Sequence, residues 1–130
     1  MTRTDAREFM MQVFFQMEAC NDFSIDSRES YFKRKKLGAQ KKYCEELFSV
    51  LCNNKELIDG KIGECSTGWK LNRIAKTDLA VLRVALCEIL YISEIPEAVS
   101  INEAVDLAHK FGTDESGAFV NAVLAKVVGR

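Results

Sequence analysis

The sequence predicts an all-α protein, a compact single-domain bundle of about six to seven helices. Apolar residues recur at three- and four-residue steps over most of the chain, which is the spacing of a helix face that packs on a core. Seven glycines and one proline in 130 residues leave little material for the many tight turns of a β-sandwich. A hydrophobic fraction of 48% with 28% charged residues is typical of an ordered globular chain, so one domain is expected over residues 1–130.

The first helix is predicted over residues 4–19, with Thr4 or Asp5 as its N-cap. Its core stripe consists of apolar residues at helical spacing: Ala6, Phe9, Met10, Val13 and Met17. The next face carries the Phe15 ring between polar neighbours. Over residues 28–36 two aromatic side chains precede four consecutive cations, and no element is predicted there.

A long helix is predicted over residues 39–62, followed by a glycine-containing loop over 63–68. Its apolar positions repeat at steps of three and four: Tyr43, Leu47, Val50, Leu51, Ile58 and Ile62. Trp69, Leu71 and Ile74 then form a short amphipathic turn. Residues 79–92 are apolar on nearly every side, which predicts a central helix surrounded by neighbours and opened by Thr77 or Asp78.

Proline ends the central helix, because Pro96 cannot continue the hydrogen-bond ladder. Ser100 followed by Glu103 matches a capping box and predicts a helix over residues 101–110. Gly112 suits a left-handed residue just past that helix. The last helix is predicted to be capped by Thr113, with acids at 114 and 115 in its first turn. Its expected core stripe is Phe119, Ala122, Val123 and Lys126 or Val127.

Catalytic machinery is not expected in this sequence. His109 is the only histidine and lies near a helix C-terminus, where a partly exposed imidazole is ordinary. Neither GxGxxG nor GxxxxGK[ST] occurs, so no nucleotide cradle is predicted. The acidic pair Glu45 and Glu46 falls on a solvated helix face. We therefore predict a protein that is not an enzyme, with no catalytic residues and no cofactor.

The cysteines and the terminal sequence indicate the compartment. Five cysteines without a CxxC pair favour reduced core thiols over zinc or disulfides, so no metal site is expected. The longest apolar runs fall short of the 18 to 20 or so residues that cross a bilayer, and charges at the N-terminus are unlike a signal peptide. The sequence therefore predicts a cytoplasmic protein without membrane partners.

Net charge is −1, so any contact with nucleic acid must come from a local patch. The densest positive charge is the run Lys33–Lys36, which is interpreted first as solvated surface.

Three stretches carry a family resemblance across nearly the whole chain: AREFMMQVFFQ at 6–16, GWKLNRIAKTDLAVLRVALCEIL at 68–90, and IPEAVSINEAVDLAHKFGTDESGAFVNAVLAKV at 95–127. The sequence resembles the NusB family of transcription antitermination factors. The resemblance implies a NusB-like helical bundle that binds the boxA element of ribosomal-RNA leader transcripts together with NusE, a ribosomal small-subunit protein. It also implies a place in the RNA polymerase antitermination complex, as a monomer or a homodimer.

The resemblance further implies an RNA surface on matching positions. Its members here are Arg3, Arg7, Gln12, Phe15, Lys76, Asp78, Glu115, Ser116 and Phe119. Relatives have an arginine-rich N-terminus, whereas this chain has Thr4 and Asp5 there, so weaker RNA binding by the chain alone is expected. Phe15 keeps the ring of a family tyrosine for base stacking and lacks its hydroxyl.

Structural roles compete with this interpretation at several positions. Phe15 and Phe119 could equally be core, Asp78 and Glu115 could serve the helix dipole, and Arg7 could pair with an acid. Two other functions also stay open. One is a protein-interaction or dimerisation module without RNA contact. The other is the N-terminal domain of a ribosomal-RNA cytosine methyltransferase, which would need a catalytic domain beyond Arg130.

Overall fold

The computed structural model describes residues 1–129, and within this range it confirms an all-helical fold. Six α-helices follow one another: α1 (Arg3–Cys20), α2 (Arg28–Phe32), α3 (Lys41–Cys65), α4 (Lys76–Tyr91), α5 (Glu97–Phe111) and α6 (Ser116–Val127). Short 3₁₀ turns over Ile25–Ser27, Gly38–Gln40 and Leu71–Arg73 complete the connections. No helix among residues 1–129 combines the length and apolar character needed to cross a membrane.

Helix α4 is the centre of the bundle, as its all-round apolar pattern predicted. Residues 78–88 are buried without interruption, and the helix packs against α1, α3, α5 and α6. The core contains side chains of all six helices. Helix α3 runs three residues further than predicted and is kinked at Asn54, whose side-chain amide donates to the Val50 carbonyl at 2.9 Å. This bond stabilises the distorted turn.

Helices α1 and α4 both begin earlier than predicted. Thr2, and not Thr4 or Asp5, caps α1: its hydroxyl accepts from the Asp5 N–H at 3.1 Å, and Asp5 accepts from the Thr2 N–H at 2.9 Å. Thr4 instead donates to Glu103 at 2.5 Å. Helix α4 follows Ala75 without a side-chain cap, so the prediction of Thr77 or Asp78 as the cap is wrong.

The predicted start of α5 is also wrong, because tertiary partners occupy the groups of the apparent capping box. The helix begins at Glu97, directly after Pro96 in an extended conformation. The Ser100 hydroxyl donates to a Glu88 carboxylate oxygen at 2.8 Å, and Glu103 accepts from Arg7 at 2.8 Å. Proline presets a backbone angle compatible with a helix start, so the helix forms four residues earlier.

Helix α6 begins at Ser116, after Glu115, and Thr113 lies outside it. The acids at 114 and 115 therefore precede the helix and are not in its first turn. Its buried apolar face is Val120, Val123 and Leu124. Of the predicted stripe, Val123 is in this face, Phe119 and Val127 are partly buried, and Ala122 and Lys126 are exposed. Phe119 departs from the expected core because it lies against a surface pocket described below.

The thiols follow the prediction except at one position. Cys44, Cys65 and Cys87 are buried, Cys52 is partly covered, and all are free. Burial raises the pKa of Cys44 to about 11, which keeps this thiol protonated at neutral pH. Cys20 is the correction: it is exposed at the last turn of α1.

Gly112 is needed for close packing and not for a left-handed turn. Its backbone is extended (φ −95°, ψ −159°), which corrects the prediction. A Cβ at this position would lie 2.3 Å from the Ser116 hydroxyl oxygen and 2.8 Å from the Ala108 carbonyl oxygen. Neither a helix carbonyl nor a buried serine can move aside freely, so only glycine fits the corner between α5 and α6.

We expect Gly112→Ala to lower the free energy of unfolding by about 1–3 kcal/mol, the usual cost of overpacking. Urea denaturation followed by circular dichroism measures it. Gly63→Ala is the matched control, because Gly63 lies inside α3 and a Cβ there meets no atom within 4 Å. The control should be neutral or gain up to about 1 kcal/mol. Equal stabilities of the two variants would contradict the close-packing role.

Candidate nucleic-acid interface

A pocket of about 340 Å³ lies where the start of α4, the turn before it and the start of α6 meet. Its walls combine aromatic, apolar and charged side chains: Trp69, Arg73, Ile74, Ala75, Asp78, Thr113, Glu115, Ser116 and Phe119. We call this the first pocket. Four of the nine residues that the family resemblance assigned to RNA line it, namely Asp78, Glu115, Ser116 and Phe119.

Asp78 is the unusual member of the first pocket. It is the third residue of α4, and only 8% of it is exposed. Its Oδ1 atom is buried without a hydrogen-bond partner among residues 1–129. A buried carboxylate oxygen without a partner costs stability. Because Oδ1 itself has almost no accessible surface, a ligand N–H in the first pocket reaches it only after the Asp78 side chain turns toward the pocket.

Ser116 supports the first pocket from behind. It is buried, and its hydroxyl oxygen accepts from the Thr113 N–H at 2.9 Å. Thr113 in turn donates to the Glu115 carboxylate at 3.1 Å. These bonds, with the close approach at Gly112, fix the loop that leads into α6. Ser116 thus positions the pocket wall, while Glu115 is exposed at the rim.

A second pocket of about 220 Å³ adjoins the first through consecutive residues of α4. It is lined by Met11, Gln12, Phe15, Thr77 and Phe111. Thr77 directly precedes Asp78, so both pockets use the first turn of α4. Phe15 is 42% exposed and Phe111 37% exposed, which leaves both rings open to a ligand. Phe15 is therefore a surface residue in the structure, which removes the alternative that it is a core residue.

Arg7 does not reach this face. It is 5% exposed, and its guanidinium donates to both Glu88 oxygens at 2.8 and 3.1 Å and to Glu103 at 2.8 Å. Burial alone would lower the pKa of Arg7, but the hydrogen bonds and charge of Glu88 outweigh it and raise the pKa. Tyr43 also donates to Glu88. Arg7 thus belongs to a buried polar network.

Arg3 and Lys76 are exposed but line neither pocket. The Arg3 Nε donates to Gln40 at 2.6 Å, and its guanidinium lies 4.2 Å from the centre of the Tyr43 ring. The Lys76 ammonium is 3.7 Å from a Glu18 carboxylate oxygen. Each cation is held by contacts that a phosphate could replace.

Three residues of this face were missed in the sequence. Trp69 is 53% exposed in the first pocket, where it was interpreted only as part of an apolar turn. Arg73 is the cation of the first pocket, and it makes no ion pair within residues 1–129. Phe111, the last residue of α5, lines the second pocket. A tryptophan beside glycine in a loop was the available signal for Trp69.

Comparisons with known proteins identify the family of this chain. The family model described as the NusB family matches residues 4–129. Transcription antitermination protein NusB of Alkaliphilus oremlandii is 47% identical, over 98% of this chain and 94% of the relative. The protein of the same name from Agathobacter rectalis is 42% identical, over 97% of this chain and 98% of the relative.

Solved structures resemble the fold over nearly the same length. NusB of T. maritima has a TM-score of 0.87 at 30% identity and covers 98% of this chain and 90% of its own. A chain in the structure of antitermination factors NusB and NusE with double-stranded RNA has a TM-score of 0.83 over 96% of this chain and 94% of its own. At 20% identity, the second likeness concerns the fold alone. From the family match and the curated relatives together, the chain belongs to the NusB family.

Proposed function

We propose that this protein is a transcription antitermination factor that binds boxA RNA of ribosomal-RNA leader transcripts together with NusE. In this role it acts by binding, without catalysis, in the cytoplasmic RNA polymerase antitermination complex and promotes processive transcription of ribosomal-RNA operons. Membership of the NusB family and relatives named transcription antitermination protein support the proposal. The observation that carries it on this chain is the unpaired Asp78 oxygen in a pocket with aromatic walls.

The first pocket suits one unstacked base. Proteins that recognise RNA sequence mostly bind single strands, stack splayed bases on aromatic rings and form hydrogen bonds to base edges. Trp69 and Phe119 supply the rings, and the Asp78 carboxylate, once its side chain turns toward the pocket, supplies an acceptor for a base N–H. Arg73, in the same pocket, is placed to meet a phosphate or stack on a base. The pocket therefore offers both affinity and base selection.

The second pocket suits a neighbouring nucleotide. Phe15 and Phe111 offer exposed rings, and Gln12 offers an amide that can donate or accept. Both pockets take a residue from the first turn of α4, so in this proposal one strand passes from the first pocket to the second along that turn. In this proposal Gln12, Phe15, Asp78, Glu115 and Phe119 contact RNA.

The remaining residues of the family surface take other parts in the proposal. Arg3 and Lys76 meet phosphates at the margins. Arg7 and Ser116 act from the interior, because both are buried and hydrogen-bonded to the protein. Fewer cations than in an arginine-rich N-terminus then face the RNA, so useful affinity requires NusE.

An RNA titration with and without NusE tests the function. The chain alone should bind boxA RNA weakly, and addition of NusE should give clear preference for boxA over a scrambled RNA. Absence of that preference under both conditions would rule out the proposal. It would favour the second candidate, a protein-interaction module without RNA contact, for which the burial of Arg7 is the supporting observation.

Phe15→Ala should weaken boxA binding and leave the fold intact. Base stacking on an aromatic ring is worth roughly 1–3 kcal/mol, and the lower part of this range is expected because more than half of the Phe15 surface is already covered. Fluorescence anisotropy measures the RNA affinity, and thermal unfolding measures stability. Phe14→Ala is the control for loss of stability. Phe14 is fully buried, so this substitution should lower the free energy of unfolding by about 3–5 kcal/mol. A similar loss of stability for Phe15→Ala would contradict its surface role.

A further inference from the structure

A run of positively charged side chains lies outside the residues that the family resemblance assigns to RNA. Lys33, Arg34, Lys35 and Lys36, here called the basic segment, follow α2. Residues 30–44 contain six lysines and arginines and no acid, in a chain whose net charge is −1. All four side chains of the basic segment are exposed, and none forms an ion pair within residues 1–129.

The backbone of the basic segment is unusual for charged residues. Lys33 and Arg34 both have positive φ, at 49° and 58°. Hydrogen bonds from the Lys33 N–H to Glu29 at 3.0 Å and from the Lys35 N–H to Phe32 at 2.9 Å fix this turn. Glycine adopts such angles without steric cost, whereas other residues do so uncommonly. The chain therefore keeps cations at two positions where the backbone favours glycine.

The basic segment is continuous with the proposed RNA face. Lys35 lines a third pocket of about 290 Å³, whose other walls are Met1, Asp5, Glu8, Phe9 and Gln12. Gln12 also lines the second pocket, so it joins the two. The Lys35 ammonium lies 5.8 Å from the centre of the Phe9 ring, which places it on the flank of α1.

The two acids of the third pocket already have partners. Asp5 accepts from the Thr2 N–H at 2.9 Å in the cap of α1, and this bond lowers the pKa of Asp5. Glu8 accepts from the Lys110 ammonium at 2.6 Å. Because neither acid pairs with Lys35, the cations of the basic segment stay available to an external anion.

We propose that the basic segment binds phosphates of single-stranded RNA that continues from the second pocket past Gln12. It thereby supplies the backbone contacts that an arginine-rich N-terminus would otherwise make. This inference rests on the proposed RNA-binding function and extends that site beyond the bases it reads. Its contacts are electrostatic and do not depend on base identity, because phosphate contacts position a strand and carry no sequence information.

The test compares salt dependence of RNA binding in the presence of NusE. The variant replaces all four cations of the basic segment by glutamine, and the RNA is boxA with flanking nucleotides on both sides. For single strands the slope of log K against log salt changes by about 0.7 for each phosphate contact. Loss of two to four contacts should therefore make the slope shallower by roughly 1.4–2.8. Thermal unfolding should be unchanged, since these side chains are exposed and form no ion pairs.

Two controls make the result specific. A charge-preserving variant, K33R/R34K/K35R/K36R, should keep the original slope. Lys35→Gln is then compared with Lys61→Gln, because Lys61 lies in the second half of α3 and lines none of the three pockets. We expect Lys35→Gln alone to make the slope shallower, by about 0.7 for one contact.

Each outcome has one meaning. A shallower slope for the quadruple and Lys35 variants, with retained preference for boxA over scrambled RNA, supports the inference. An unchanged slope overturns it, as does an equal change for Lys61→Gln, which would reveal a general effect of net charge. If the unaltered protein with NusE shows no boxA preference, the proposed function itself fails, and the variants are then not needed to reach that conclusion.

Discussion

Glu88→Ala should unfold far more easily than the unaltered protein, with a loss of about 3–5 kcal/mol in the free energy of unfolding. Glu88 is 1% exposed and is the common acceptor for Arg7, Tyr43 and Ser100. Removing it leaves a buried guanidinium with Glu103 as its remaining ion-pair partner and leaves two buried hydroxyl groups without an acceptor. A buried polar group left without a partner destabilises the fold by more than its hydrogen bond had stabilised it.

Urea denaturation at neutral pH measures this loss. Glu8→Ala is the matched control, because Glu8 forms an ion pair with Lys110, whose side chain is 62% exposed. An exposed pair of this kind contributes about 0–1 kcal/mol. A loss below about 1 kcal/mol for Glu88→Ala would mean that the network does not stabilise the bundle. A double-mutant cycle with Arg7→Met then isolates the coupling between the two charges.

The Glu88 network also explains why the role of Arg7 was not evident in the sequence. Arg7 and Glu88 are 81 residues apart, so no local pattern indicates that they pair. An arginine in the first turns of an amphipathic helix normally faces solvent, and by family resemblance it was assigned to RNA. In the structure the same side chain links α1, α4 and α5.

Five of the six helices were predictable from the sequence, whereas helix starts were not; the exception is α2 (Arg28–Phe32), where no element was predicted. The all-round apolar pattern of α4 reports burial directly, and the structure confirms it. A capping pattern reports only which groups could bond locally. At Ser100 and Glu103 those groups bond to Glu88 and Arg7 instead, and only the folded bundle brings these partners together.

Only part of the candidate site was predictable, because some of its residues become exposed only through the packing of the bundle. Positions matched to the family include Asp78, Glu115 and Phe119, which the fold does gather in one pocket. Trp69 escaped attention because an aromatic residue at helical spacing is most often core. Its position beside Gly68 indicated a loop, but its 53% exposure depends on how the loop before α4 packs, which is evident only in the folded protein.

Asp78→Ala should lower RNA affinity while the free energy of unfolding stays the same or rises. The unpaired buried Oδ1 destabilises the RNA-free protein. Its removal therefore relieves a cost of about 1–3 kcal/mol for a buried unsatisfied group. Against this, the acid in the first turn of α4 favours the helix dipole by about 0.3–1 kcal/mol. The net expectation is a stability that is unchanged or raised by up to about 2.7 kcal/mol.

RNA affinity should fall in the same variant. A good contact between a side chain and a base edge is worth about 1–3 kcal/mol, which corresponds to roughly a 5- to 150-fold weaker binding of boxA RNA. Anisotropy titration with NusE measures the affinity, and thermal unfolding measures the stability. Asp114→Ala is the control, because Asp114 is exposed and does not line the first pocket. It should retain full RNA affinity.

The two measurements together decide what Asp78 does. If its carboxylate serves only the helix dipole, Asp78→Ala should lose stability and bind RNA as before. If the carboxylate accepts a base N–H, stability should hold while affinity falls, and the fall should be larger for boxA than for a scrambled RNA. A binding site that keeps an unsatisfied acceptor gives up stability in the free protein, and the bound base recovers it. An unpaired buried oxygen is therefore expected where a ligand completes the hydrogen bond.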